Sequence, residues 1–255
     1  MDFSSYFAQI AVGVVGLTPL VPWRAVGRGY FVMMLAIALP LLAVAGWYRA
    51  SGQEAGGAVL VLFGACGLLG LASLTCFLGG KGTPGWHLVR ASALLGWIAI
   101  AADGVRAAGL ASGPAAEPAL LAANFVAGAL LLGASLSAML LGHWYLVVKD
   151  LPVEPLRALT LVFFAALGAR LAATAAAFLL DPSGGSAVVD RSFLFVLVYG
   201  LFSLGTPIGM SWMVWGTVRI RSTQAATGIL YGVVAFILMG EAAGRFVLIR
   251  TGFPL

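Results

Sequence analysis

Residues 155–180 read PLRALTLVFFAALGARLAATAAAFLL, and residues 226–249 read ATGILYGVVAFILMGEAAGRFVLI. A helix that crosses a bilayer needs roughly 20 apolar residues, and both stretches exceed that. Each carries charge in its interior: Arg170 in the first, Glu241 and Arg245 in the second. A charged side chain at the bilayer centre costs between about 2.5 and 17 kcal/mol, so it persists where it is paired or acts on something. The apolar runs set the fold, and the charges inside them point to a site.

The rest of the chain repeats the pattern. Of its 255 residues, 62% are hydrophobic and 9% are charged. A soluble chain carries about 25% charged residues. This composition excludes a soluble enzyme, and the scattered basic residues do not form a nucleic-acid-binding surface. Eight candidate spans are read: Ser5–Trp23, Gly29–Tyr48, Gly57–Gly79, Trp86–Ala107, Pro118–Val148, Pro155–Leu180, Ser192–Val218 and Ala226–Ile249. The expectation is an all-α integral membrane protein, one transmembrane domain over residues 1–255, with no internal repeat. Pro19 and Pro22 blur the end of the first span, and Pro40 and Pro207 should kink the second and seventh. Met1-Asp2-Phe3-Ser4-Ser5 lacks the positive region of a signal peptide, so the first span is expected to stay. Glycine is abundant, at 34 residues, as suits helices that approach closely in lipid. Gly64, Gly67 and Gly70, and Ala165, Ala166, Gly168 and Ala169, read as packing faces.

Orientation follows from lysine and arginine in the short loops. Arg24, Arg28, Lys81, Arg90, Lys149, Arg157, Arg219 and Arg221 gather at one end. Arg49, Arg106, Arg191 and Arg250 lie at the other, beside Glu54, Glu117, Asp181 and Asp190. The first end is read as cytoplasmic and both termini as outside, in a multi-pass protein of a bacterial cytoplasmic (inner) membrane. Trp23, Tyr30, Trp47, Tyr48, Trp86, Trp144, Tyr145, Trp212 and Trp215 fall near the expected interfaces. Cys66 and Cys76 would lie about 15 Å apart along one helix, too far for a disulfide.

At 1.5 Å per residue, Arg170 and Glu241 lie at about the same depth, some 22 Å from the cytoplasmic ends of their helices. Arg245 is one turn beyond Glu241, and Asp103 is slightly deeper toward the outside. The four are expected to form one polar cluster in the outer half of the membrane. Two readings stand. In the first, Glu241 pairs with Arg245 within its helix, Arg170 bonds Asp103 or carbonyl groups, and the cluster locks the packing. In the second it handles protons or binds a ligand, as intramembrane ionisable groups often do.

His87 and His143 both fall at the cytoplasmic side. They are candidate axial ligands of a b-type haem, with Arg90 toward a propionate. The other readings are interfacial histidines, or a quinone-facing His143. No Cys-x-x-Cys-His or Cys/His cluster supports covalent haem, an iron–sulfur cluster or a metal site. Ser222 or Thr223 is expected to cap the last helix. Gly205-Thr206-Pro207-Ile208-Gly209 should interrupt the seventh, as in helices that build midplane transporter sites.

The last span ends Leu238-Met239-Gly240-Glu241-Ala242-Ala243-Gly244-Arg245-Phe246-Val247. This resembles the Gly-Glu-x-x-Gly-Arg segment that closes the last helix of quinol-binding membrane anchors of the dimethyl sulfoxide reductase and polysulfide reductase class. The eight-helix topology with both termini outside is similar as well. The resemblance implies a chain that binds menaquinol within the membrane, passes electrons to an iron–sulfur partner and has no haem of its own. It would place Glu241 and Arg245 near the quinol site or its proton route.

The function expected is that of a quinone/quinol-interacting subunit of a respiratory electron-transfer complex, with an iron–sulfur or cytochrome subunit as partner. Tyr199, Arg170 and Glu241 would surround the quinone head group, and Glu241 or Asp103 would accept its proton. A proton-coupled transporter or channel is an alternative, with Glu241 as the coupling site and Arg170 as an anion anchor. A subunit that binds haem b, or one that is purely structural, is another.

Overall fold

The computed structural model describes residues 3–51, 57–111, 113–148 and 151–255. Among them the chain is helical, with no strand. The helices are α1 (Ser4–Leu17), α2 (Trp23–Val26), α3 (Arg28–Ser51), α4 (Gly57–Leu78), α5 (Gly82–Ala108), α6 (Pro118–Val147), α7 (Glu154–Leu180), α8 (Pro182–Tyr199), α9 (Thr206–Arg219) and α10 (Thr223–Thr251). Seven spans are long and apolar enough to cross a membrane, with α8 and α9 counted together as Pro182–Arg219. Exposed apolar side chains such as Val61, Leu68, Leu179, Leu194 and Trp212 cover the outside. No soluble monomer presents so much apolar surface, and lipid is the environment that suits it. Glu54 and Lys149 lie outside the described residues.

The first expected span, Ser5–Trp23, corresponds to α1, and it falls short. Pro19 sits in a 3₁₀ turn, Thr18–Leu20, that ends the helix, because proline has no N–H to continue the ladder. Fourteen residues of α1 reach about 21 Å at 1.5 Å per residue, against a hydrocarbon core of about 30 Å. Nearly every residue of α1 is buried, so protein rather than lipid surrounds it. It lies against α3, α5 and α6. The other central helix is α6, whose apolar window is 78% buried, against 22% for Pro182–Arg219 at the edge.

The α1–α6 crossing depends on two glycines. A Cβ on Gly13 would overlap Ala129 and Gly133 of α6, and one on Gly133 would overlap the Gly13 backbone. Such contact of backbones is how helices associate in lipid, where there is no hydrophobic drive between them. The packing faces expected from sequence are tight only in part: a Cβ on Gly70 would stand 2.9 Å from Leu39. Gly64 and Gly168 have open space where a Cβ would be, and Ala165, Gly168 and Ala169 are exposed. Among these small residues Gly70 and Ala166 are buried. Tyr30, expected at the interface, is fully buried.

The seventh expected span starts earlier than Ser192. The helix runs from Pro182, breaks at Ser192 (φ −135°, ψ 30°) and continues to Tyr199. A π-helical turn follows at Gly200–Gly205. Pro207 lies at the start of α9, so the irregular turn sits where its ring would otherwise clash with the carbonyl four residues back. The expected interruption is therefore present, as a π turn rather than a simple kink.

At the start of α10, Ser222 makes no side-chain capping bond. The chain enters through Arg221, whose φ is +57°, and Ala226 N–H donates to the Ser222 carbonyl at 3.0 Å. At the far end, Gly252 takes φ +74° and its N–H donates to the Leu248 carbonyl at 2.9 Å. That left-handed residue turns the chain back into the bundle. Phe253, Pro254 and Leu255 are buried, with Phe253 against Phe178 at 5.1 Å between ring centroids. Cys66 and Cys76 are free thiols.

Candidate functional site

Arg170 projects from α7 about ten residues before its end, and Glu241 projects from α10 at the matching depth. The two meet. Arg170 Nε donates to Glu241 Oε1 at 2.9 Å and Nη2 donates to Oε2 at 2.8 Å. A guanidinium and a carboxylate match as two parallel bonds, the strongest geometry open to this pair. Arg170 is 2% exposed and Glu241 3%, so each charge depends on the other. Removing one partner of such a buried pair typically costs about 3–5 kcal/mol.

Other elements complete the shell. The π turn places the Ser203 hydroxyl on Glu241 Oε1, to which it donates. Gly240 makes this possible, because a Cβ there would overlap the Ser203 backbone. Arg170 Nη2 also donates to the Leu255 main-chain oxygen at 2.7 Å, and Asn124 Nδ2 on α6 donates to the same oxygen at 3.1 Å. Tyr199 shares a hydrogen bond of 2.6 Å with Thr174, and its ring lies 5.3 Å from Arg170 Cζ. From α1, Gln9 Nε2 donates to the Phe125 carbonyl at 3.0 Å and Tyr6 donates to the Leu238 carbonyl at 2.8 Å. A Cβ on Gly128 would stand 3.1 Å from Glu241 Oε2, so the site is closed on that side by bare backbone.

Asp103 is not part of this group, contrary to the expected single cluster. It is fully buried on α5 and takes two bonds from Arg49, Nη1 to Oδ1 at 2.9 Å and Nη2 to Oδ2 at 2.5 Å. Arg106 Nε donates to Oδ1 at 3.2 Å, and Arg49 Nη2 also donates to Ser5 of α1 at 2.9 Å. Arg49, read as a loop charge, is in fact 7% exposed and lies 5.0 Å from the Phe63 ring centroid. The reason is local: it sits in the last turn of α3, where a long side chain turns inward as easily as outward.

The expected Glu241–Arg245 pair does not form, since Arg170 holds both carboxylate oxygens. Arg245 is buried, packs 4.0 Å over the Phe125 ring and has an unpartnered Nε. It lies within electrostatic reach of Asp103 and Arg49 on one side and of Arg170 and Glu241 on the other. From α1, Ser5 bonds Arg49 of the Asp103 network, while Tyr6 bonds the α10 backbone and Gln9 the α6 backbone.

Each histidine has its own neighbourhood. His87 is exposed and lines a cleft of about 350 Å³ with Pro22, Trp23, Arg24, Thr83 and Trp86. Arg90 lies over Trp86 at 4.6 Å. His143 Nδ1 meets the Tyr231 hydroxyl at 2.9 Å. Nothing in this arrangement places both imidazoles on one iron. Among the described residues, no three His, Cys, Asp or Glu side chains group as metal ligands.

Ser203, Asn124, Ser5, Gln9 and Arg49 were missed from sequence. Two had a signal. Asn124 is the only asparagine in the chain, within an apolar helix, and Ser203 lies just before the Gly205–Gly209 break. Compared with protein-family models, with curated proteins and with solved structures, the chain matches none of them.

Proposed function

We propose that this chain is an integral membrane subunit of an electron-transfer complex that binds a quinone or quinol beside Arg170 and Glu241. The basic end would face the cytoplasm of a bacterial cell. One observation carries the reading: two buried donors, Arg170 Nη2 and Asn124 Nδ2, converge on a single main-chain oxygen acceptor, that of Leu255. A quinone also presents oxygen acceptors, on a flat ring, and these two donors would hold one of them in place of Leu255. Arg170 and Asn124 would hold the carbonyl, and the Tyr199 ring would lie beside it. Quinol, when bound, supplies electrons and protons. Glu241 Oε1, already bonded to the Ser203 hydroxyl, is the atom that would receive or relay a proton. Electrons would leave through a partner subunit, an iron–sulfur or cytochrome protein. The π turn supports the reading further, because π-bulges occur often at functional sites.

The test is quinol oxidation by the complex isolated in mild detergent. Asn124→Leu is expected to raise the apparent KM for quinol, and Glu241→Gln to lower kcat. Isolation without a redox partner, or unchanged kinetics in both variants, would overturn the proposal. A second reading is favoured by the full occupation of Glu241, whose oxygens accept from Arg170 and Ser203. Here the network only locks α6, α7 and α10 together. It predicts loss of thermal stability in Glu241→Gln with no change in any turnover.

A further inference from the structure

At the end of the bundle opposite the basic one, a cleft of about 320 Å³ is lined by Arg191, Ser192, Phe195, Phe246, Arg250 and Thr251. Two cations from different helices, α8 and α10, converge on it. Among the described residues neither has a carboxylate within ion-pair distance. The nearest candidates are otherwise placed: Asp181 accepts from Gly184 N–H at 2.8 Å and from Ser183 at 3.1 Å, and Asp190 is exposed. The floor is a stacked pair, Phe195 on Phe246 at 4.2 Å, with Arg250 held 5.5 Å from the Phe246 ring. The helix breaks at Ser192, and Ser192 brings a hydroxyl to the rim. Thr251 is already engaged, donating to the Val247 carbonyl and accepting from Phe253 N–H.

Near this positive cleft α8 presents Leu194 and Leu197, and the π turn that follows presents Leu201, each exposed by about half or more. Leu194 and Leu197, three residues apart on α8, share one helix face. A positive, hydroxyl-bearing recess on a helix that also exposes leucines matches an amphipathic anion. Arginine is suited to phosphate oxygens, and basic recesses at membrane depth take lipid head groups. We propose that the Arg191–Arg250 cleft binds the phosphate of an anionic phospholipid, with the acyl chains along Leu194, Leu197 and Leu201. The site is separate from the Arg170–Glu241 network and stands without the quinone reading.

The experiment is native mass spectrometry of the full chain in detergent, with phosphatidylglycerol, phosphatidylcholine or inorganic phosphate added. Retention of phosphatidylglycerol over phosphatidylcholine is expected. Loss of one arginine should weaken it roughly fivefold, and loss of both in R191A/R250A about thirtyfold. Arg219→Ala, at the other end, should leave it unchanged. Should the double variant fail to fold, Arg250→Gln and the salt dependence of retention in the unmodified chain serve instead. Equal retention of the two lipids, equal loss in Arg219→Ala, or no salt dependence overturns the proposal. An equal effect of inorganic phosphate overturns the lipid assignment in favour of a soluble anion.

Discussion

The two buried charge networks differ in depth, and the difference shows what each can be. Arg49 and Arg106 lie in the last turns of α3 and α5, where the negative end of the helix dipole favours a cation. Asp103 serves both, close to the membrane edge. Arg170 and Glu241 lie about ten residues inside their helices, and each forms its ion pair with the other. The shallow network has one acid between two bases. The deep one is balanced, and it recruits a π turn, an asparagine and the segment after Gly252. A shallow network can be explained by packing alone. The deep one carries irregular backbone beside charge, a combination that membranes tolerate where it is enclosed by protein.

Substitutions can break this comparison. The largest loss is expected from Glu241→Ala, which leaves Arg170 buried and unpaired at a cost of about 3–5 kcal/mol. Thermal unfolding in detergent measures it, and adding Arg170→Leu should recover part of the loss. Asp103→Ala should cost about half as much, because Arg49 and Arg106 can turn toward the interface once freed. An equal or larger effect at Asp103 would reverse the ranking of the two sites. Ser203→Ala removes one hydrogen bond to a charged group and should cost about 2 kcal/mol. A negligible effect would mean that the π turn is dispensable to Glu241. Tyr231→Phe, which removes the exposed bond to His143, should stay within about 0.5 kcal/mol.

Much of this was legible in the residues. Apolar length located the long spans, since a helix must be about 20 residues to cross lipid. Counting along α7 and α10 gave equal depth for Arg170 and Glu241, and the structure joins them. The errors came where a count of residues is not enough. Arg49 looked like a loop charge because two residues from a helix end a side chain can face either way. Asp103 was assigned to the wrong arginine because its depth fits both networks. The first span was drawn too long because Pro19 ends α1, and a helix enclosed by protein does not need the full thickness.

By itself, then, the sequence determined an apolar all-helical chain suited to a bilayer, the course of its long helices and the equal depth of Arg170 and Glu241. These follow from apolar length and from the fixed rise of a helix. Only the tertiary structure decided which charges meet, because the rotation of each helix about its own axis is set by its neighbours. Close backbone contacts, such as Gly13 with Gly133 and Gly240 with Ser203, fix how α1 sits on α6 and how the π turn sits on α10. Arg170 of α7 meets both carboxylate oxygens of Glu241, and Arg49 of α3 meets Asp103 of α5.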